Sequence, residues 1–548
     1  MKIHQAVSDA LVGEGAELVF GLMGDANQDL IGDLGERHGV QIVHGRHEQG
    51  VVAMADGYAR FSGGMGLATV TQGPGLTNAG TSLVAAARHG SSVLLLAGDS
   101  PVGDLHNPQH FAHTAFADLT AGRSSRLESP RALDDILTRA FVDVRAGHRP
   151  HVLNLPSDVQ GMETDGAWSY TARYAGSRAM RADAASVGAA ADMLASARCP
   201  AILAGRGAVI SGASEELVQL ARLLQAPLTT TLLANGLFAG HPLDTGVCGG
   251  LGDGRALRVL ERCDLVLAVG AGLNQWTTQF GSALAGSRLV QIDPDPGAFG
   301  AYHRADLALH GDATATLRDL VRLLAPRLTA ARELPPDVAA LIGSREPLDS
   351  SPYLDTDESS DPRHAVAEIN RHLPAERALV IGGGHAAQTA CQALPASSAL
   401  EWTCTSVDFG AIGQGLPVAI GACFARPGRR VFHVTGDGDF MMGLAELDTA
   451  VRYRLPLTVI VLNDHGFGQE RHSLLHKGLP PGYAEHPSPD FAELARALGA
   501  SGYTIRGPGQ LPRLGQAIGH EEGVVVIDLG INPDYLNPTS REIAEHLG

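Results

Sequence analysis

The sequence predicts an α/β protein made of three parallel-sheet domains. Three observations lead there. Short apolar runs alternate with helical patterns along almost all of the 548 residues, which is how buried parallel strands and their crossover helices read. The composition, 44% hydrophobic and 18% charged with 67 Gly and 30 Pro, suits a compact protein rich in turns and not a disordered chain. The length exceeds what one core organises, at roughly 100 to 200 residues per domain.

The first block, residues 1–170, opens with MKIHQAVSDALVGEGAELVF, an amphipathic helix leading into a strand and without the continuous apolar region of a signal peptide. Its strand candidates are ELVFGLMG, VQIVHG, GLATVTQ, SVLLLAGD and HVLNLPSDV. The second block, 185–326, carries CPAILAGRG, DLVLAVGAG and RLVQIDPD; glycine turns after these strands give it a Rossmann-like look. Residues 327–362 (ELPPDVAA, EPLDSSPYLDTDESSDP) are rich in Pro, Ser and acids and read as a linker. The third block, 363–548, holds ALVIGGG, RRVFHVTGDG, LPLTVIVLN and GVVVIDLG, a rhythm that echoes the first.

Several function classes drop out. A net charge of -18 without a basic cluster argues against nucleic acid. No run reaches the roughly 20 apolar residues of a membrane span. The six cysteines are scattered without CxxC spacing, which fits neither a zinc site nor a disulfide framework and suits the cytoplasm.

The most informative stretch is GDGDFMMGLAELDTAVRYRLPLTVIVLN, Gly436 to Asn463. Strand candidates end at Gly436 and Asn463, and Phe440, Leu444, Leu447 and Val451 mark one apolar face of a helix between them. In a right-handed crossover both strand ends emerge on one sheet edge, so Asp437 and Asn463 can converge on one ion. Their hard oxygens suit magnesium or calcium. Magnesium completes its shell with water and phosphate oxygens, and Gly436 and Gly438 let backbone amides approach a phosphate at a helix N-terminus.

This segment resembles the cofactor motif of the thiamine diphosphate-dependent enzymes, the family of acetohydroxyacid synthase, pyruvate decarboxylase and benzoylformate decarboxylase, and the resemblance extends over nearly the whole chain. It implies two thiamine diphosphate-binding domains flanking the Rossmann-like one, and self-association as a dimer or tetramer with shared active sites. It implies magnesium held by Asp437, Asn463 and the His465 carbonyl. GRHEQGVVAMADGYAR is similar to the family's RHEQGAAxxADGYAR, so Glu48 is expected to hydrogen-bond the aminopyrimidine and activate the cofactor. The loop TQGPGLTN, with Pro74 and Asn78, resembles the one beside the pyrimidine. In SVDFGAIGQGLPVAIGA, Gly410 and Ile412 match the segment that holds the cofactor bent. Gly384 and His385 in GGGHAA stand where the preceding loop meets the diphosphate. Asp439 stands beside it where many relatives have a small residue.

Residues that differ among branches of the family carry the information on the reaction. Gly24 and Asp25 in GLMGDANQDL resemble the decarboxylase pattern GxPGDxN, with Asp25 either handling protons or capping the next helix. Glu470, seven residues after Asn463, matches the decarboxylases' catalytic Glu or is an exposed helical acid. His106, His110 and His113 replace their His-His pair as proton donors. The stretch after Glu470 resembles the synthases. In GAGLNQWTT, Gly272 replaces the Arg of FAD-binding relatives, so FAD is not expected. The reading is a decarboxylase/carboligase, acetolactate synthase-like, acting on a small-molecule 2-oxo acid, with Glu48, Asp25, His110, His113 and Glu470 in catalysis. Its alternatives are a C–C bond lyase or acyl transferase using the same cofactor, or a non-catalytic cofactor-binding protein. A nicotinamide oxidoreductase lacks a clear GxGxxG in the central block.

Overall fold

In the computed structural model, which describes residues 1–147, 149–172, 179–328, 332–344, 346–520 and 522–547, each of the three blocks carries one six-stranded parallel sheet. The first contains β1 (Leu18–Gly21), β2 (Gln41–His44), β3 (Gly66–Val70), β4 (Val93–Asp99), β5 (Ser124–Arg126) and β6 (His151–Pro156), in the order β2-β1-β3-β4-β6-β5. The second contains β7 (Pro200–Ala204), β8 (Leu228–Thr230), β9 (Asp244–Val247), β10 (Leu265–Val269), β11 (Arg288–Asp293) and β12 (Leu307–His310), in the order β12-β11-β10-β7-β8-β9. The third contains β13 (Ala378–Ile381), β14 (Trp402–Cys404), β15 (Val431–Gly436), β16 (Leu457–Asn463), β17 (Ser501–Ile505) and β18 (Val524–Gly530), in the order β14-β13-β15-β16-β18-β17.

Counted from its own first strand, the third sheet repeats the order of the first. The central sheet has the doubly wound order of dinucleotide-binding folds. In sheets of the first and third kind the order reverses between the first and third strands, and the crevice above those strand ends is where ligands sit. The reversal falls at β1/β3 and at β13/β15. In the central sheet the equivalent place, between β7 and β10, is filled by backbone: Gly207 N–H donates to the Gly270 carbonyl at 2.9 Å, and a Cβ on Gly205 would lie 2.2 Å from that oxygen.

Structure and sequence differ in three details. Strands β5, β9, β12, β14 and β17 lack the long apolar runs that mark the others, because they lie at sheet edges, and β8 is only three residues long. The helix expected after Gly436 is two, Asp437–Gly443 and Ala445–Arg452, broken at Leu444; Phe440 and Leu447 are buried, while Leu444 and Val451 are half-buried. The 327–362 stretch is more than a linker. It contains a helix, Pro336–Gly343, whose Val338 and Ile342 join the central core; residues 329–331 and 345 lie outside the described part.

The first and third domains share one core. The Glu48–Ser62 helix, buried along most of its length, lies against the Gly415–Ala425 helix, and Val51, Met54, Val418 and Ile420 belong to a single apolar cluster. Two glycines set the approach. A Cβ on Gly57 would come within 2.2 Å of the Val418 carbonyl oxygen, and one on Gly421 within 2.0 Å of that of Met54. A buried ionic junction adds to it: Arg60 bridges Asp56 and Asp408 at 2.7 Å each. His89 also meets Asp408, and Arg206 of the central domain donates to the Gly90 carbonyl. The Arg60 guanidinium, followed by His89, outweighs burial and holds Asp408 down at about 2.

Because that helix contact has no room for a side chain, Gly57→Ala is expected to cost about 1–3 kcal/mol by overpacking. It should appear as a lower urea midpoint, with Gly57→Val falling further than Gly57→Ala.

Candidate active site

On the first sheet, the carboxyl ends of β1 and β3 bring together residues far apart in sequence. Glu48 is half-buried at the start of the Glu48–Ser62 helix, and Asn78 Nδ2 donates to its Oε2 at 3.0 Å. Asn78 closes the short Pro74–Asn78 helix that follows β3. Across the crevice Thr71 Oγ1 donates to Asp25 at 3.1 Å, and Gly24 packs so closely on Thr71 that a Cβ would lie 2.5 Å away. Asp25 is exposed, and it is Asn27 that stands at the N-cap of the next helix. The capping alternative for Asp25 is therefore not what the fold uses.

The three histidines part company. His113 is buried at the start of the His113–Thr120 helix, and its Nε2 accepts the Gly73 N–H at 3.1 Å. Burial lowers its pKa, so the neutral ring carries its proton on Nδ1 and acts as a prop for the 71–78 loop. His110 is exposed on the rim, with Nδ1 2.9 Å from Ser100 Oγ. His106 is exposed farther out.

On the third sheet, Gly436 pairs with Leu462, so Asp437 and Asn463 sit side by side at the ends of β15 and β16. Asn463 is buried; its Nδ2 donates to Asp528 at 2.9 Å, and its amide oxygen accepts the His465 N–H at 3.1 Å. Asp437 Oδ2 accepts from Gly466 N–H at 3.0 Å and Ser488 Oγ at 2.7 Å. His465 has a left-handed backbone, φ 60°, which turns its carbonyl; that oxygen also receives the His486 N–H at 2.8 Å. Burial, and then the neighbouring Asp464, push the Asp437 carboxyl up to about 7. Two carboxylates this close and this buried are what a cation would relieve.

The phosphate side is equally defined. Gly384 and Gly436 approach so closely that a Cβ on Gly384 would lie 3.2 Å from Gly436 Cα. His385 is buried, its Nδ1 is 2.8 Å from Asp464, and its Nε2 has no partner among the described residues. Gly438 lies against the Phe467 ring, and Ile412 against Gly383. Gly410 ends the Ser406–Phe409 helix in a left-handed turn at φ 72°. These residues fit a diphosphate with its metal: one carboxylate, one amide oxygen and one carbonyl for the ion, backbone N–H groups and an orphaned imidazole nitrogen for the phosphates. No cluster of three or more His, Cys, Asp or Glu side chains that could hold a metal occurs among the described residues. Such a donor set leaves coordination positions to water and phosphate.

Asp439 departs from expectation, and Glu470 has the placement of the exposed helical acid, its alternative reading. The Asp439 side chain is buried and occupied by protein donors: Gly383 N–H at 2.9 Å, Gly413 N–H and Thr435 Oγ1. Glu470 is exposed on the first turn of the Gly468–His476 helix. Sequence reasoning also missed a residue. Glu446 is buried, and its carboxylate accepts the N–H groups of Arg46 and His47, each at 3.0 Å. It thereby ties the chain entering the Glu48 helix to the third domain, while the helix itself is capped by His47 Nδ1, which accepts the Gln49 N–H at 3.1 Å. Thr449 Oγ1, three residues on, also donates to the Glu446 carboxylate at 2.7 Å, but nothing in AELDTA marks its backbone partners, which lie 399 and 400 residues away. Among the described residues, no hydrogen bond within one chain joins the Glu48–Asn78 pair to the Asp437–Asn463 pair.

Comparison with known proteins matches three family models in chain order. They are the thiamine pyrophosphate enzyme N-terminal TPP binding domain over residues 1–121, the central domain over 187–320, and the C-terminal TPP binding domain over 382–529. A probable acetolactate synthase large subunit of Methanocaldococcus jannaschii is 30% identical, covering 97% of this chain and 92% of its own. A probable 2-ketoarginine decarboxylase of Pseudomonas aeruginosa is 31% identical over 96% and 93%. A sulfoacetaldehyde acetyltransferase of Alcaligenes xylosoxydans xylosoxydans is 28% identical over 92% and 88%.

Two outcomes follow from this geometry. Asp437 holds its proton more tightly folded than unfolded, so in metal-free protein its contribution to stability is full below about 4 and is lost as pH rises through about 7. Asp437→Asn should therefore stabilise metal-free protein at pH 8 by roughly 1–3 kcal/mol in thermal melts, while abolishing the stabilisation by magnesium expected of wild type. Glu446→Ala should cost about 1–3 kcal/mol as two buried N–H groups lose their acceptor, with faster amide exchange at residues 46–50.

Proposed function

This chain belongs to the thiamine pyrophosphate enzyme family, and from that membership we propose that it is a decarboxylase/carboligase acting on a 2-oxo acid, acetolactate synthase-like in its chemistry. Thiamine diphosphate, when bound, supplies a carbon acid whose conjugate base adds to a carbonyl and accepts the electron pair of the bond that breaks. What the chain adds is position. Asp437, Asn463 and the His465 carbonyl would hold magnesium. The backbone at Gly384 and Gly438, with His385 Nε2, would donate to the diphosphate.

Glu48 carries the reading. Its carboxyl is steered by Asn78 and half-shielded from water, where a hydrogen bond to a ring nitrogen is stronger than in bulk. A protein that only stored the cofactor would have no use for it. Asp25, His110 and Glu470, all exposed at strand or helix ends, would exchange protons with the substrate, and His113 would hold the loop beside it. Pairing of two copies would bring the Glu48 edge of one to the metal edge of the other. No helix among the described residues is long and apolar enough to cross a membrane. The names of the relatives support an oxo acid, and one of them keeps acyl transfer as the rival.

Incubation of the protein with thiamine diphosphate, magnesium and a panel of 2-oxo acids, resolving carbon dioxide, aldehyde, acyloin and acyl-transfer products, should show carbon dioxide release that needs both additions. Glu48→Gln should lower kcat by about 100-fold or more. If no oxo acid releases carbon dioxide, the reading falls.

A further inference from the structure

The Asp439 carboxylate belongs to neither the metal site nor the phosphate cradle, yet it lies between the two loops that border the β13/β15 crevice. Its Oδ2 accepts the Gly383 N–H at 2.9 Å and the Thr435 hydroxyl, and its Oδ1 accepts the Gly413 N–H. The carboxylate is buried, and the surrounding glycines make room for it. A Cβ on Gly382 would lie 2.1 Å from Oδ2, and one on Gly415 would lie 2.9 Å from it. Ile412 rests on the same spot, since a Cβ on Gly383 would meet its Cγ2 at 2.5 Å. One side chain thus joins the 382–385 loop, the 410–414 loop and the end of β15.

We propose that Asp439 is a positioning residue, a clamp that fixes the separation between the diphosphate cradle and Ile412 and so sets the posture of the bound cofactor without touching it. This rests on the family reading of the crevice. A buried carboxyl that accepts from three donors on separate segments ties those segments together. It therefore holds both loops in place before any ligand arrives, and the ligand has less to organise on binding. A serine in its place reaches neither loop. Asparagine keeps one acceptor and turns an N–H₂ group against the other donor.

The test compares wild type with Asp439→Ser, Asp439→Asn and the isosteric Thr435→Val. Amide hydrogen exchange on cofactor-free protein is expected to speed up at least tenfold in peptides spanning 382–384 and 410–414 for both Asp439 variants, and less for Thr435→Val. The Kd for thiamine diphosphate with magnesium should rise about tenfold. The near-ultraviolet circular dichroism of the bound cofactor should change, and kcat should fall while KM for the oxo acid stays within twofold. If exchange is unchanged while affinity drops, Asp439 is a direct ligand and the clamp is wrong. The clamp also fails if exchange rises while affinity, spectrum and kcat stay at wild-type values. Failure of wild type to bind the cofactor would overturn the family reading of the crevice and the clamp together, whereas indifferent variants with wild-type binding intact overturn the clamp alone.

Discussion

Everything at the site depends on the contact between the Glu48–Ser62 helix and the third domain. The helix cannot be moved without breaking two kinds of interaction at once. Along its side, Gly57 and Gly421 bring two backbones together without side chains between them. Just before its start, Glu446 accepts the Arg46 and His47 N–H groups and so ties the chain entering the helix to the third domain. A buried carboxylate at a helix N-terminus also meets the favourable end of the dipole. The Asp437–Arg452 segment therefore does two jobs: its first residue places a buried carboxyl at the end of β15, and its Glu446 anchors the chain entering the helix that carries Glu48.

The repeated strand order explains why two edges are used so differently. Both sheets open a crevice where the order reverses, but side chains decide what each can hold. The edge of the first carries Glu48, Asn78, Thr71 and Asp25, groups that exchange or steer protons. The edge of the third carries glycines, a buried imidazole and paired acids, groups that are comfortable only with a cation and an anion between them. Burial and then Asp464 push the Asp437 carboxyl up, while Asp464 is itself paired with the His385 ring.

Much of this was legible in the chain because the signals are local. GDG followed by an apolar strand and Asn reads as a metal edge since strand, turn and ligand are contiguous, and Glu48 stands in a similarly contiguous motif. Asp439 and Glu446 were opaque for the opposite reason. Each looks like an ordinary acid near a helix start, and each is explained by backbone N–H groups on segments tens to hundreds of residues away. The histidines make the same point. His106, His110 and His113 are equivalent on paper, yet burial makes one a prop for Gly73 and leaves another on the rim. The edge strands and the Pro336–Gly343 helix escaped notice because short, half-buried elements carry little periodicity.

By itself the sequence determined the three-block α/β architecture and the cofactor family, since apolar periodicity and contiguous motifs encode strand ends and what stands on them. Tertiary structure alone decided which acids face ligand and which face protein. That choice is made by burial and by hydrogen-bond donors brought in from distant segments, and a chain read in one dimension does not contain those distances.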